Sequence, residues 1–163
     1  MAVRLASEVG YRVPHLCEAA MLHDIGRMAM LGLTDHPQGL TERQRCVVRL
    51  HVLIGAQVAE TVGLPREAVD AVRYHHERWD GEGYPDGLRG HEIPEGARVL
   101  AVADAVVSML ERREYEGERT LDEVVAELKA CSGKQFDPLV AEAAVRLIES
   151  FEIYRLIASG ELR

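Results

Sequence analysis

Apolar residues recur at the three-and-four spacing of an α-helix along almost the whole of this 163-residue chain. That pattern confines the fold to an all-α class, and the caps divide it into about six to eight helices. A first helix is expected over about residues 2–9, broken by Gly10, and a second from Pro14 to about Met30. Thr41 with Gln44 forms a capping box for a long helix to about Val62, and Pro65 opens another that ends near His75 and His76. The next runs from near Pro94 to about Arg112. Thr120 with Glu123 makes a second capping box, and Asp137-Pro138 is an N-cap followed by a favourable first helical residue. The one long non-helical stretch is 78–93, dense in glycine, proline and charge, and loops of that length are usually functional or disordered.

Length and an apolar content of 47% suit a single domain, 1–163, with a sizeable core. The net charge of −8 argues against a surface that grips nucleic acid polymers or anionic membranes, so an anionic ligand needs local positive charge. Cys17, Cys46 and Cys131 are odd in number and singly spaced, which fits a reducing, cytoplasmic setting rather than a disulfide framework or a thiolate zinc site. No apolar run approaches the roughly 20 residues that span a bilayer, and no secretory leader is present.

Against this helical background the histidines are misplaced. The stripe Ala68, Val69, Val72 continues onto His75 and His76, where core residues belong. His51 shares a helix face with Val47, Ile54 and Val58, and His23 one with Leu16, Ala19 and Ala20. Asp104 lies in a helix that is apolar nearly all round, where an unpaired carboxylate is heavily penalised or protonates. Asp24 has the same problem. Arg27, at i+3, answers Asp24 but leaves Asp104 without a partner.

A single inward histidine is more often a hydrogen-bonded core residue than a ligand. Six such residues together point to metal. Adjacent helical residues diverge by about 100°, so His75 and His76 suit two neighbouring ligand positions, which favours two cations. Imidazoles with carboxylates and no thiolate suit iron or manganese, with zinc less natural. His15, His36 and His91 read as surface residues.

The order His23-Asp24, then His51, then HHERWDGEGYPDGLRGHEIP from His75, then VADA ending at Ala105, resembles the HD-GYP family, a branch of the HD metal-dependent phosphohydrolases. The likeness extends from about residue 2 to about residue 150. It implies a helical fold with a metal centre between helices, and hydrolysis of cyclic di-GMP to pGpG or on to GMP. Carried over by position, the ligands are His23, Asp24, His51, His75, His76 and Asp104, with Asp24 bridging two divalent ions (iron or manganese, with zinc, magnesium or nickel as other options). The resemblance also implies that Arg27 and Arg113 bind substrate phosphate. Gly83, Tyr84 and Pro85 would form the rim of the site and a surface for diguanylate cyclase (GGDEF) domains. Two cations sharing a carboxylate activate a bridging water, hold the hydroxide in line with phosphorus and neutralise charge on the phosphoryl oxygens.

The chain also departs from the family pattern. A further histidine is expected on a helix ahead of His23, at or just before Met1, and a sensory or receiver domain is common upstream. Arg27 replaces the usual lysine, which keeps the charge and changes its geometry. Val107, Leu110, Glu111 and Arg112 stand where acidic and hydroxyl residues are usual, and Glu116 replaces a basic residue. Two alternatives to the phosphodiesterase therefore stay open: a regulatory module that binds metal, nucleotide or a partner protein, and an HD hydrolase of another phosphoester. The tail 151–163 is expected to be helical and to cover either the core or a second copy in a homodimer.

Overall fold

The computed structural model describes residues 1–30, 41–111, 120–150 and 159–160. Within these residues the fold is all-α, with eight helices: α1 (Ala2–Val9), α2 (Leu16–Leu22), α3 (Glu42–Val48), α4 (His51–Thr61), α5 (Arg66–Tyr74), α6 (Glu95–Glu111), α7 (Leu121–Cys131) and α8 (Pro138–Glu149). Short 3-10 segments cover Ile25–Met30 and Gly90–Glu92. Among the described residues no helix is long and apolar enough to cross a membrane.

The caps form as the sequence demands. Gly10 ends α1 in the left-handed region at φ 75°. Thr41 and Thr120 both close complete capping boxes, and the Asp137 carboxylate accepts the Leu139 N–H at 2.8 Å. Helix α6 runs through the centre, packed against α1, α5, α7 and α8. Its Val99, Val102 and Val106 are fully buried against residues such as Leu5, Val72, Val124 and Leu128. Alanines at 59, 68, 71, 103 and 143 are buried between helices, where their small size lets backbones approach closely.

Two expected helices are each divided. The segment from Pro14 to Met30 is α2 followed by a 3-10 turn, with His23 at the break. The segment from Thr41 to Val62 is α3 and α4, separated at Arg49 and Leu50. Tertiary packing causes the second break. The Gly26 backbone lies so close to the His51 carbonyl that a methyl group there would collide with it, and the 3-10 turn packs along α4. One result is that Val47 is 40% exposed instead of sharing a buried face with His51.

A buried ion pair joins α6 to the start of α8. Arg98 on α6 contacts Asp137 at 2.6 Å, and the two side chains are 7% and 1% exposed. The same guanidinium donates to Tyr11 Oη at 2.7 Å and to the Ile93 carbonyl at 2.9 Å. It also lies over the rings of Tyr11 and Trp79. His91 is exposed as expected, yet it packs edge-on against Trp79 at 5.0 Å.

Candidate metal centre

Each of three histidines stands at or just past a helix end. His23 caps α2, His75 caps α5, and His51 opens α4 three residues beyond the end of α3. The last carbonyls of an α-helix have no N–H partner within the helix. Here the imidazoles supply one: the Nδ1–H groups donate to Ala20 O, Val48 O and Val72 O, each at 2.7 Å. A carbonyl only accepts, so Nδ1 carries the hydrogen and Nε2 of each neutral ring presents a lone pair.

Those lone pairs converge on Asp24. His51 Nε2 lies 3.3 Å and His75 Nε2 3.8 Å from Asp24 Oδ1. His23 Nε2 lies 3.7 Å from Asp24 Oδ2 and 3.7 Å from Asp104 Oδ1. One atom each from Asp24, His51, His75 and His76 can be chosen so that all four lie within 4.8 Å of one another. The two oxygens of Asp24 thus face different partners: one towards His51 and His75, the other towards His23, which also faces Asp104.

The group fits a cation. Nε2 of His23, His51, His75 and His76 is buried in each case without a hydrogen-bond partner, and the buried Oδ1 of Asp24 has only its ion-pair contact with Arg27. Each such nitrogen costs about 1–3 kcal/mol when left unsatisfied, and bound cations would satisfy all four. The donors are nitrogen and oxygen only. Cys17 and Cys46 are exposed and Cys131 is half-buried, and none belongs to the cluster. The set therefore matches borderline cations such as iron or manganese.

The electrostatics differ from one histidine to the next. Burial pushes His75 down to about 4, with His23 and His51 adding repulsion and the Val72 carbonyl and Asp24 opposing. Burial also pushes His76 down to about 3, reinforced by His75 and His51. Both rings are neutral at pH 7. Burial works to raise Asp24, but His51, Arg27, His23 and His75 hold its carboxyl well below the usual range. Asp104 is likewise lowered against burial, mainly by His23. His23 moves the other way: burial opposes its charge, yet Asp104, the Ala20 carbonyl and Asp24 raise it above the ordinary histidine value.

The carboxylates are less enclosed than their helix faces implied. Asp24 and Asp104 side chains are 34% and 32% exposed, because both open onto the site rather than into the apolar core. Arg27 does pair with Asp24, at 2.8 Å. Arg113 lies outside the described residues, as do Arg112, Glu116 and the tail at 151–158 and 161–163.

Beside the metal cluster opens a cavity of about 370 Å³, with His76, Asp104, Tyr84, Glu77 and Arg49 among its lining residues. Gly83 and Tyr84 line it as well, and Tyr84 turns inward. Its ring stacks on His76 at 4.9 Å and 28°. Burial pushes the Tyr84 phenol up to about 12, against the pull of Arg27 and Arg49, so at neutral pH it remains a hydrogen-bond donor. Glycine is required at 83, where a methyl group would strike the backbone of Glu77 and Arg78.

The sequence reading assigned no role to Glu77 or Arg49. Glu77 is 3% exposed, and its Oε1 accepts the N–H groups of Asp86 at 2.7 Å and Gly87 at 2.9 Å. A carboxylate directly after the paired histidines, with an Asp-Gly turn nine residues on, is the signal that could have found it. Arg49 carried no local signal, since its position depends on the break between α3 and α4.

Comparison with known proteins is consistent with this architecture. The family model described as HD domain matches residues 13–140. The chain is 35% identical over 162 residues to a cyclic di-GMP phosphodiesterase of Thermotoga maritima, covering 93% of this chain and 43% of that protein. It is 40% identical over 132 residues to the cyclic di-GMP phosphodiesterase response regulator RpfG of Xanthomonas campestris, covering 78% of this chain and 35% of the relative. The chain therefore spans less than half the length of these curated relatives. The crystal structure of a cyclic GMP-AMP-specific phosphodiesterase of Vibrio cholerae superimposes with a TM-score of 0.68 at 17% identity, over 91% of this chain and 42% of that one, which shows a shared fold. The matched family model, the relatives and the His23-Asp24 to Gly83-Tyr84-Pro85 framework together place this chain in the HD domain family, on its HD-GYP branch.

Proposed function

We propose that this chain is the hydrolytic domain of a metal-dependent phosphodiesterase that opens cyclic di-GMP to pGpG, and on to GMP. The observation that carries this reading is the set of four buried, unpartnered imidazole nitrogens converging with Asp24 between helices, beside a cavity open to a ligand. The names of the Thermotoga and Xanthomonas relatives support the substrate.

His51, His75, His76 and Asp24 would hold one divalent cation, and His23, Asp104 and Asp24 a second, with Asp24 shared. When bound, the cations supply an activated water and neutralise charge at phosphorus. The remaining work falls to the protein's own groups. The Nδ1–H bonds to backbone carbonyls fix the rings of His23, His51 and His75 with their lone pairs inward. Arg27, tied to Asp24, would offer its guanidinium to a phosphate oxygen, and the protonated Tyr84 hydroxyl would be available to donate to the substrate. Together they provide the local positive and donor surface that an acidic domain needs for an anionic ligand. Arg113 is a further phosphate contact in this reading.

The test is anaerobic incubation of protein loaded with Fe²⁺ or Mn²⁺ with cyclic di-GMP, with products separated by chromatography beside an Asp24→Ala variant. Linear pGpG or GMP is expected, reduced by more than about a hundredfold in the variant. Intact cyclic di-GMP in the presence of bound metal would overturn the proposal in favour of a regulatory module.

A further inference from the structure

Arg49 is exposed and sits at the end of α3, two residues before His51, and among the described residues its guanidinium pairs with no acid. It lies over the Tyr84 ring, 5.2 Å from the centroid. The same ring is stacked on His76, so one aromatic side chain separates Arg49 from the metal cluster. Both residues line the cavity.

The other described cations near this cavity are engaged. Arg78 holds Asp80 through two contacts of 3.0 and 2.6 Å, and Arg27 is bound to Asp24. Among the described residues, Arg49 is the cavity-lining cation with no carboxylate at ion-pair distance. A planar guanidinium set on an aromatic face keeps its edge free for the oxygens of a phosphate.

A cyclic dinucleotide carries two phosphodiesters. The one being cleaved must lie at the metal ligands and Arg27, and ring closure then holds the other away from them, towards the cavity rim. We propose that Arg49, carried on Tyr84, binds this second, non-scissile phosphate and so makes the site selective for cyclic dinucleotides over small single phosphodiesters. The inference rests on the phosphodiesterase reading above and adds a residue that positions the far end of the substrate. The reaction centre itself does not require Arg49, because the scissile phosphate has its own contacts.

The test compares Arg49→Ala and Arg49→Lys with the unaltered, Mn²⁺-loaded protein on cyclic di-GMP and on bis(p-nitrophenyl) phosphate, with metal content measured for each. Loss of one charged phosphate contact is expected to lower kcat/KM for cyclic di-GMP by roughly tenfold to a hundredfold, mostly through KM. The ratio of the two substrates' kcat/KM values should fall at least about tenfold in Arg49→Ala and be partly restored in Arg49→Lys. An unchanged ratio at full metal content overturns the proposal. If the unaltered protein cleaves bis(p-nitrophenyl) phosphate but not cyclic di-GMP, the activity reading fails separately. Equilibrium binding of cyclic di-GMP then decides for Arg49: weakening in Arg49→Ala supports the role, while equal binding, or none to the unaltered protein, removes it.

Discussion

The carboxylate of Glu77 is closed onto the backbone of Asp86, with Oε1 accepting the Asp86 N–H at 2.7 Å. Glu77 directly follows His76, so this contact ties the far turn of the loop to the metal-ligand pair. The loop is also held at its other end, where the Trp79 and Asp80 N–H groups donate to the carbonyls of Gln135 and Lys134. It is therefore a fixed wall of the cavity rather than a free connection.

Replacing Glu77 by alanine would leave the Asp86 and Gly87 N–H groups without their acceptor. The expected loss is about 1–3 kcal/mol, read as a lower urea midpoint at unchanged m-value. Glu77→Gln keeps one oxygen acceptor and should lose less.

Metal removal should destabilise the fold, because a cation that binds only the native cluster adds its binding free energy to stability. At a free concentration a hundred times Kd the gain is about 2.7 kcal/mol. Thermal melts are expected to show a lower Tm after chelation, recovered on adding Mn²⁺ but not in Asp24→Ala.

In chelator, stability should peak near pH 6.5. An unfolded histidine titrates near 6.5. His75 and His76 are depressed to about 4 and about 3 in the fold, so on acidification the unfolded chain takes up their protons first. Each ring then subtracts up to about 1.4 kcal/mol per pH unit as the pH falls below 6.5. His23 is raised, so its contribution is complete below 6.5 and is lost as the pH climbs through its folded value. Melts from pH 4.5 to 8 check both limbs. A His75→Asn, His76→Asn variant should flatten the acid limb alone.

Removing one partner of the Arg98–Asp137 pair leaves a buried charge uncompensated. Asp137→Ala should cost about 3–5 kcal/mol, and it also uncaps α8. Arg98→Met should cost less, because Asp137 keeps the Tyr11 hydroxyl and the Leu139 N–H. A double-mutant cycle by urea unfolding gives the coupling between the two residues.

The helices were legible because apolar spacing and side-chain caps are local. Thr41, Thr120 and Asp137 mark their helix starts within four residues. The helix end at His75 was legible, but the breaks at His23 and at Arg49-Leu50 were not, since the apolar spacing runs on through them. What marks those breaks is partly local, an imidazole taking the carbonyl three residues back, and partly tertiary, the Gly26 backbone pressing on His51. The histidine cluster could be read as inward imidazoles on otherwise apolar faces. The Arg98–Asp137 pair joins residues 39 positions apart, beyond the reach of any local pattern.

The partners that orient His23, His51 and His75 are main-chain carbonyls. A side-chain partner disappears with one substitution, whereas a carbonyl survives any substitution that leaves the helix end in place. Ligand orientation is thereby insulated from drift in the surrounding residues. Sequences can wander far apart while the imidazoles keep pointing at the same spot, and selection on the remaining cavity wall is free to retune which ligand it accepts.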